Sequence, residues 1–166
     1  MSHSRGQGAA VVRAAKAEVL DSPLGRIQLL AEPATTERCP HVHRTRLRKG
    51  VTATGPHHHL IATELFFILD GKMQVLLDEE IVTAERGDLI VVPPRVVHAY
   101  GAALDSDLEV LVLFTPGLPL FGFLRKFITM VNDGRSPQEM GPPPPETDMH
   151  PDQSEAWKRA RAHPVA

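Results

Sequence analysis

The sequence predicts an all-β domain, an antiparallel sandwich or barrel, followed by short helices. Between residues 19 and 117, short runs of β-branched and aliphatic residues follow one another closely, with no helical pattern between them. Turn dipeptides such as Asp70-Gly71, Gly87-Asp88 and Pro93-Pro94 separate the runs. Many short strands divided in this way are typical of antiparallel sandwiches and barrels.

The predicted strands are the runs in which apolar residues dominate. The Asp70-Gly71 dipeptide is expected to close a hairpin between the second and third of them. The runs cover residues 26–30, 64–69, 72–77, 80–83, 88–92, 97–100 and 108–114.

The two ends of the chain differ from this middle. Residues 1–18 are small, polar and rich in alanine, and they are predicted to form a flexible arm. Residues 118–166 are predicted to form a helical and proline-rich extension that packs on the domain. Apolar residues recur there at helical spacing after Pro119, and Gly134 marks the expected end of that helix.

Further along the extension, two shorter helical segments are expected. Residues 136–139 have the form of a capping box. Asp152 and Glu155 are predicted to cap a last helix that contains Trp157.

Composition excludes several classes of protein. The chain has 166 residues, 42% of them hydrophobic and 23% charged, as expected of one globular domain. The net charge of -2 offers no basic excess for nucleic acid or an anionic membrane. Cys39 is the only cysteine, which suits a reducing cytoplasm. Charged residues interrupt 9–20, so no secretory signal is predicted. We therefore expect a cytoplasmic protein without nucleic-acid or membrane partners.

The histidines indicate chemistry. His57 and His59 are two apart, so in a strand they share one face. Glu64 follows five residues later, and His98 follows a further strand. Three imidazoles and a carboxylate suit one divalent transition metal ion: Fe, Mn, Ni, Co or Zn. A His-X-His pair alone is also compatible with a solvated loop or a structural role, but the spacing of all four residues favours a metal.

The segment 50–102 resembles the cupin superfamily. Its first motif, a glycine, His-X-His, a glutamate and a second glycine, has the spacing found here after His57. Its second motif, a glycine, a proline turn and a histidine, has the spacing found from Gly87 to His98. The matching residues are Gly50, His57, His59, Glu64, Gly71, Gly87, Pro93 and His98. Three positions depart from the motifs: Gly50 is one residue early, Arg95 replaces a glycine, and Ala102 replaces an asparagine.

The resemblance implies a cupin jelly-roll β-barrel with the ion inside, near one mouth. Its metal ligands would be His57, His59, Glu64 and His98. Because Arg95 replaces glycine, the turn there is expected not to need a positive φ. Small cupins usually pair through edge strands, so the resemblance also implies a homodimer.

The residues around the ion follow from strand alternation. If Glu64 faces inward, Phe66 and Ile68 do too, and Tyr100 accompanies His98. Tyr100 is predicted to hydrogen-bond a substrate oxygen, although a role as a core tyrosine is also open.

Two alternating sets of polar residues precede the first motif. Arg44, Arg46 and Arg48 would share one strand face, and a solvated outer face is the favoured interpretation. His41-X-His43 repeats the histidine pattern, but no carboxylate follows at the family spacing, so no metal role is predicted.

The helix after Thr115-Pro116-Gly117 resembles the segment that follows the barrel in quercetin dioxygenase-like cupins. Phe121 and Phe127 would then line an aromatic substrate site. The alternative is a helix that caps an apolar end of the barrel or packs in a dimer.

Three functions remain open from the sequence. The leading hypothesis is a dioxygenase-like oxygenase that binds a small aromatic or enolisable molecule at the metal, with dioxygen as the second substrate and Glu64 as a base. The second is a redox-silent, metal-dependent isomerase, lyase or polyketide cyclase. The third is a non-catalytic barrel that binds a small ligand.

Overall fold

The computed structural model describes residues 8–36 and 38–162, with the backbone alone for 137 and 138. This part of the chain contains ten strands and two α-helices. The strands are β1 (Val19–Ser22), β2 (Gly25–Ala31), β3 (His41–Leu47), β4 (Thr52–His58), β5 (Thr63–Leu77), β6 (Glu80–Glu85), β7 (Leu89–Val92), β8 (His98–Ala102), β9 (Leu108–Thr115) and β10 (His150–Pro151). The helices are α1 (Phe121–Asn132) and α2 (Glu155–Arg161).

The strands form two antiparallel sheets that share one long strand. The first sheet has the order β1-β2-β3-β9-β5-β7. The second has the order β6-β5-β8-β4-β10. Strand β5 contributes its first half to the first sheet and its second half to the second. This arrangement confirms the predicted all-β jelly-roll fold.

The predicted hairpin at Asp70-Gly71 is wrong, because β5 continues through both residues to Leu77. Gly71 lies where the strand passes from one sheet to the other, and its φ is 73°. A Cβ atom at Gly71 would lie 1.9 Å from the carbonyl oxygen of Asp107. The glycine therefore serves a corner of the barrel, where the backbone bends and another strand approaches closely.

The core lies between the two sheets and follows the alternation of the strands. Phe66 and Ile68 are fully buried inside the barrel, as predicted. Around them lie the other fully buried apolar side chains Met73, Val75, Val110 and Val112. Burying such side chains is the main term that stabilises the barrel.

Strand β3 is absent from the predicted set because its sequence has no apolar run. Its inner face carries His41, His43 and Thr45, all buried. Its outer face carries Arg44 and Arg46, which both pair with Glu109 on β9. The favoured outward orientation of these arginines is therefore confirmed. Because polar residues occupy both faces, the sequence of β3 shows no apolar run, although one face of the strand is buried.

The expectation for Arg95 is wrong. Its φ is 74°, so the turn keeps the left-handed conformation that glycine adopts in the family motif. The backbone N–H of Arg95 donates to the carbonyl of His59 at 2.7 Å, which ties this turn to the loop after β4. A hydrogen bond of this kind offsets part of the cost of a left-handed non-glycine residue.

Helix α1 begins and ends close to the predicted positions, and Gly134 follows it with a φ of 70°. The helix lies beside β1: Arg125 pairs with Glu18 at 2.7 Å, and the Asn132 side chain donates to the carbonyl of Asp21 at 3.0 Å. In the described residues no helix is long and apolar enough to cross a membrane.

Helix α2 has a different cap from the predicted one. The side chain of Ser154 accepts a hydrogen bond from the backbone N–H of Trp157 at 3.2 Å. Asp152 contacts His58 on β4 instead. The cap was mispredicted because serine and aspartate are equally good caps, and the tertiary contact of Asp152 decides between them.

Candidate metal centre

Three strands bring the predicted ligands to one end of the barrel. His57 lies near the end of β4 and pairs in register with His98, the first residue of β8. His59 follows β4 directly, and Glu64 is the second residue of β5. All four side chains are buried, with exposures of 0–3%.

The ligand atoms converge on one carboxylate oxygen. Glu64 Oε2 lies 2.7 Å from Nε2 of His98, 3.2 Å from Nε2 of His59 and 4.0 Å from Nε2 of His57. The donor atoms of all four residues lie within 4.8 Å of one another. Two donors about 2.1 Å from a single ion and at right angles are about 3 Å apart. The separations therefore fit four ligands around one ion.

Hydrogen bonds fix the orientation of each imidazole. The Nδ1 atoms of His57 and His98 face the carbonyls of Gly55 and Val96, each at 2.9 Å. The Nδ1 atom of His59 faces a carbonyl as well, at 2.8 Å. A carbonyl can only accept a hydrogen bond, so each ring presents an Nδ1–H to its carbonyl and turns Nε2, the nitrogen that could bind a metal, into the cluster. Metal-binding histidines are usually held in this way.

The charges of the cluster are strongly coupled. Burial alone would raise the pKa of Glu64, but hydrogen bonds from His59 and His98 outweigh it and hold this pKa well below its ordinary value. Burial lowers the pKa of His57 to about 4, with His98 adding to the effect. Burial would lower the pKa of His98 too, yet the bond to Glu64 raises it. The site therefore holds a carboxylate surrounded by imidazole nitrogens.

Of the predicted pocket residues, Phe66 lies near the cluster and Tyr100 packs against Phe66. Their rings are 4.8 Å apart, and the ring of Phe66 is 6.5 Å from that of His98. Tyr100 is 4% exposed. Burial and the negative charge of Glu64 raise the pKa of Tyr100, so its phenol keeps its proton at neutral pH.

A second histidine pair, His41 and His43, lies inside the same barrel. His41 Nε2 and His43 Nδ1 share a hydrogen bond of 2.8 Å. Burial lowers the pKa of His41 to about 4 and that of His43 to about 3, so both are neutral at pH 7. Neither belongs to the cluster of four donors. The sequence shows the His-X-His spacing of this pair, but only the fold shows that both side chains face the core.

The two phenylalanines predicted to line the site differ in position. Phe121 packs edge-on against His41, with ring centroids 5.3 Å apart. In the part of the chain that the structure describes, Phe127 makes no ring contact with the site and is half-buried further along α1. Helix α1 thus reaches the barrel with its first turn and contacts β1 with the rest.

A segment that no motif predicted covers the loop after β4. The carboxylate of Asp148 accepts hydrogen bonds from the backbone N–H groups of residues 60–62. These bonds outweigh the effect of burial, which would raise the pKa of Asp148, and hold that pKa below its ordinary value. Strand β10 then pairs with β4, and His150 stacks on His58 with ring centroids 5.3 Å apart. The sequence around β10 is rich in proline and has no strand pattern, so only the tertiary structure shows that this segment covers the loop after β4.

An open cavity lies at the other end of the barrel. Its volume is about 430 Å³, and Arg26, Arg46, Leu47, Asp107 and Glu109 are among its lining residues. None of the four cluster residues lines it. The cavity is therefore a polar surface feature separate from the candidate metal centre.

A family comparison agrees with this geometry. The profile of a family described as a cupin domain matches residues 43–114, which include all four clustered ligands. The central part of the chain is therefore similar to a cupin domain. A search of curated protein sequences found no significant match.

Solved structures with the same fold are distant in sequence from this chain. An RmlC-like cupin from Shewanella frigidimarina is 19% identical, with a TM-score of 0.55 over 73% of this chain and 99% of that one. KdgF from Halomonas sp. is 22% identical, with a TM-score of 0.56 over 65% and 94%. Streptomyces PAC13 with uridine is 16% identical, with a TM-score of 0.54 over 66% and 84%. Pac13 is described as a nucleoside dehydratase. These likenesses show the fold.

Proposed function

We propose that this protein is a metal-dependent enzyme that binds one divalent transition metal ion through His57, His59, Glu64 and His98. The observation that carries the proposal is the convergence of three Nε2 atoms on one carboxylate oxygen in a buried site. Each imidazole is already held in the orientation that a metal needs, with Nδ1 at a carbonyl and Nε2 in the cluster. The substrate class we propose is a small aromatic or enolisable organic molecule.

The bound ion would supply Lewis acidity that lowers the pKa of an enol or phenol, and a redox-active ion would also support reaction with dioxygen. Glu64 contributes the negative charge that offsets the ion. Phe66 and Ile68 form an apolar wall that excludes water. Tyr100 offers a protonated phenol as a hydrogen-bond donor for a substrate oxygen.

The leading reaction is oxygenation. The buried, aromatic-walled surroundings favour it, because an activated substrate and dioxygen must react there without competing water. The test is dioxygen uptake by metal-free protein reloaded with Fe, Mn, Ni, Co or Zn, measured with flavonols, β-diketones and catechols. Glu64→Gln, given the same metals, is the matched control. Uptake that requires both a metal and Glu64 is expected; no uptake with any combination would contradict an oxygenase.

The second candidate is a redox-silent lyase, dehydratase or isomerase. It is favoured by the protonated phenol of Tyr100, which packs on Phe66 and whose pKa Glu64 helps to raise, because such a phenol suits proton donation to a leaving group. The fold shared with a nucleoside dehydratase is compatible with it. Zinc in the untagged protein as purified, with substrate turnover that is unchanged without oxygen, would support this reaction and contradict the oxygenase.

A non-catalytic ligand-binding barrel is the third candidate. It predicts tight binding of a small molecule without turnover, and binding that survives His57→Ala. Loss of ligand binding together with loss of the metal would exclude this candidate.

We also propose that the protein forms a homodimer. The outer face of the first sheet exposes apolar residues on neighbouring strands: Phe67 is 39%, Leu89 56% and Val91 53% exposed. Exposed apolar patches of this kind often mark association surfaces. Light scattering at about 36 kDa, twice the chain mass of 18.2 kDa, would support the dimer; a particle of 18.2 kDa would exclude it.

A further inference from the structure

One side chain ties the loop after β4 to the C-terminal extension. Asp148 is 6% exposed, and its carboxylate accepts hydrogen bonds from three successive backbone N–H groups. The donor–acceptor distances are 3.0 Å for Leu60, 2.8 Å for Ile61 and 2.9 Å for Ala62. A buried carboxylate with three such donors is well satisfied, so it holds this loop in one conformation.

The backbone of the same residue contacts a metal ligand. Asp148 contributes the carbonyl that faces Nδ1 of His59 at 2.8 Å. The other two histidines receive this bond from carbonyls two residues before them in the chain, Gly55 and Val96. His59 is therefore the one histidine of the three whose orientation depends on a residue far away in sequence.

The segment 147–152, which we name the strap, is fixed to β4 at further points. Its residues His150 and Pro151 pair with His58 and His57. The backbone N–H of Asp152 donates to the carbonyl of Pro56 at 2.9 Å. The side chain of Asp152 contacts His58, whose ring is not among the ligands.

We propose that Asp148 is a positioning residue for His59 and that the strap is part of the metal site. The inference rests on the proposed metal binding. Its carboxylate holds residues 60–62 and its carbonyl holds the imidazole, so a metal ion on Nε2 and the docked strap stabilise each other. Because such coupling is reciprocal, the strap should raise metal affinity and the metal should protect the strap.

The first experiment compares metal affinities. Metal-free protein is titrated with Co²⁺, and the dissociation constant is read from the visible absorption of the complex. Asp148→Gly removes the carboxylate while glycine tolerates the residue's φ of 51°. We expect affinity to fall about 10–100-fold, the usual effect of losing an outer partner of a metal ligand. Asp148→Asn, which keeps one acceptor oxygen, should recover most of it.

The matched control is Asp152→Ala, which removes a strap carboxylate that contacts His58 and leaves the backbone pairing of the strap and the contacts of Asp148 in place. Its Co²⁺ affinity should stay within about threefold of the wild type, because His58 is not a ligand. Equal affinities for Asp148→Gly and the wild type would overturn the inference and leave the proposed function intact. A wild-type protein that binds no Co²⁺ would overturn both.

A second measurement uses the unmodified chain and so does not depend on the folding of a variant. Amide hydrogen exchange is followed by mass spectrometry with and without Zn²⁺. Zinc should slow exchange in the peptide containing residues 60–62 and in the strap. Slower exchange around His57 and His98 alone, with no change at residues 60–62 or the strap, would overturn the inference.

Discussion

Two His-X-His pairs lie inside this barrel, and they contact different partners. His57 and His59, at the end of β4, direct their Nε2 atoms at Glu64. His41 and His43, on β3, hydrogen-bond to each other. All four side chains are buried, with exposures of 0–5%. Burial and spacing therefore do not distinguish a metal ligand; the carboxylate opposite the pair and the carbonyls behind it do.

The ring of Phe114 separates the two pairs. It is the register partner of His41 on β3 and of Glu64 on β5. Its centroid lies 5.5 Å from that of His41 and 5.3 Å from that of His59. The pair His57 and His59 thus belongs to the cluster, and the pair His41 and His43 lies among core residues beyond the ring of Phe114.

Replacing one histidine of each pair with alanine tests the comparison between the pairs most strongly. His57→Ala should weaken Zn²⁺ binding by about 1,000-fold, more than the loss of an outer partner would. His41→Ala should leave it within about threefold, because His41 is outside the cluster. Both dissociation constants are measured by competition with a chromogenic chelator. Equal losses in the two variants would contradict the assignment.

Removing the ring between the pairs should destabilise the fold. Phe114 is 4% exposed, and Phe114→Ala should lower the free energy of unfolding by about 3–5 kcal/mol. Val19→Ala, on an edge strand of the same sheet, should cost less than about 1 kcal/mol because Val19 is 40% exposed. Urea unfolding of metal-free proteins provides both values. A cost of under 1 kcal/mol for Phe114→Ala would show that the ring is not part of a packed wall.

The neutral pair on β3 should make stability depend on pH. The folded pKa values of about 4 for His41 and about 3 for His43 lie below the ordinary 6.5, so the unfolded chain binds protons first as pH falls. The stabilising contribution is complete above pH 6.5 and is lost between pH 6.5 and the folded values. The slope should be about 1.4 kcal/mol per pH unit for each histidine.

The pH effect is assigned by comparing metal-free wild type with the double variant His41→Phe, His43→Leu. Urea unfolding between pH 7.5 and 5 should give a shallower loss of stability for the variant. Parallel pH profiles would mean that the pair is already solvated or charged in the folded protein.

The smallest effect is expected on the outer face of β3. Glu109→Gln removes the partner of Arg44 and Arg46, whose guanidinium groups are partly exposed. The cost should be about 1 kcal/mol and should shrink in 0.5 M salt, because the guanidinium groups are partly exposed and screened although the carboxylate is only 13% exposed. Thermal unfolding at two salt concentrations measures this, and a salt-independent loss of several kcal/mol would contradict it.

Much of the barrel could be predicted because its strands alternate and its turns are marked by glycine and proline. Phe66 and Ile68 are buried as alternation requires. Strands β3 and β4 were not predicted, because histidine, arginine, glycine and proline replace the usual apolar residues there. The catalytic roles of Glu64 and Tyr100, and that of Phe127 at the substrate, stay predictions.

The sequence by itself determined the four residues of the candidate metal centre and most of the strands around them, because residue type and motif spacing encode the first and alternation encodes the second. Only the tertiary structure decided that Gly71 turns a corner, that His41 and His43 face inward and that Asp148 holds His59. Those outcomes depend on contacts between segments far apart in the chain, up to 89 residues for Asp148 and His59. Local spacing carries no signal for such contacts, since they form only when the sheets pack.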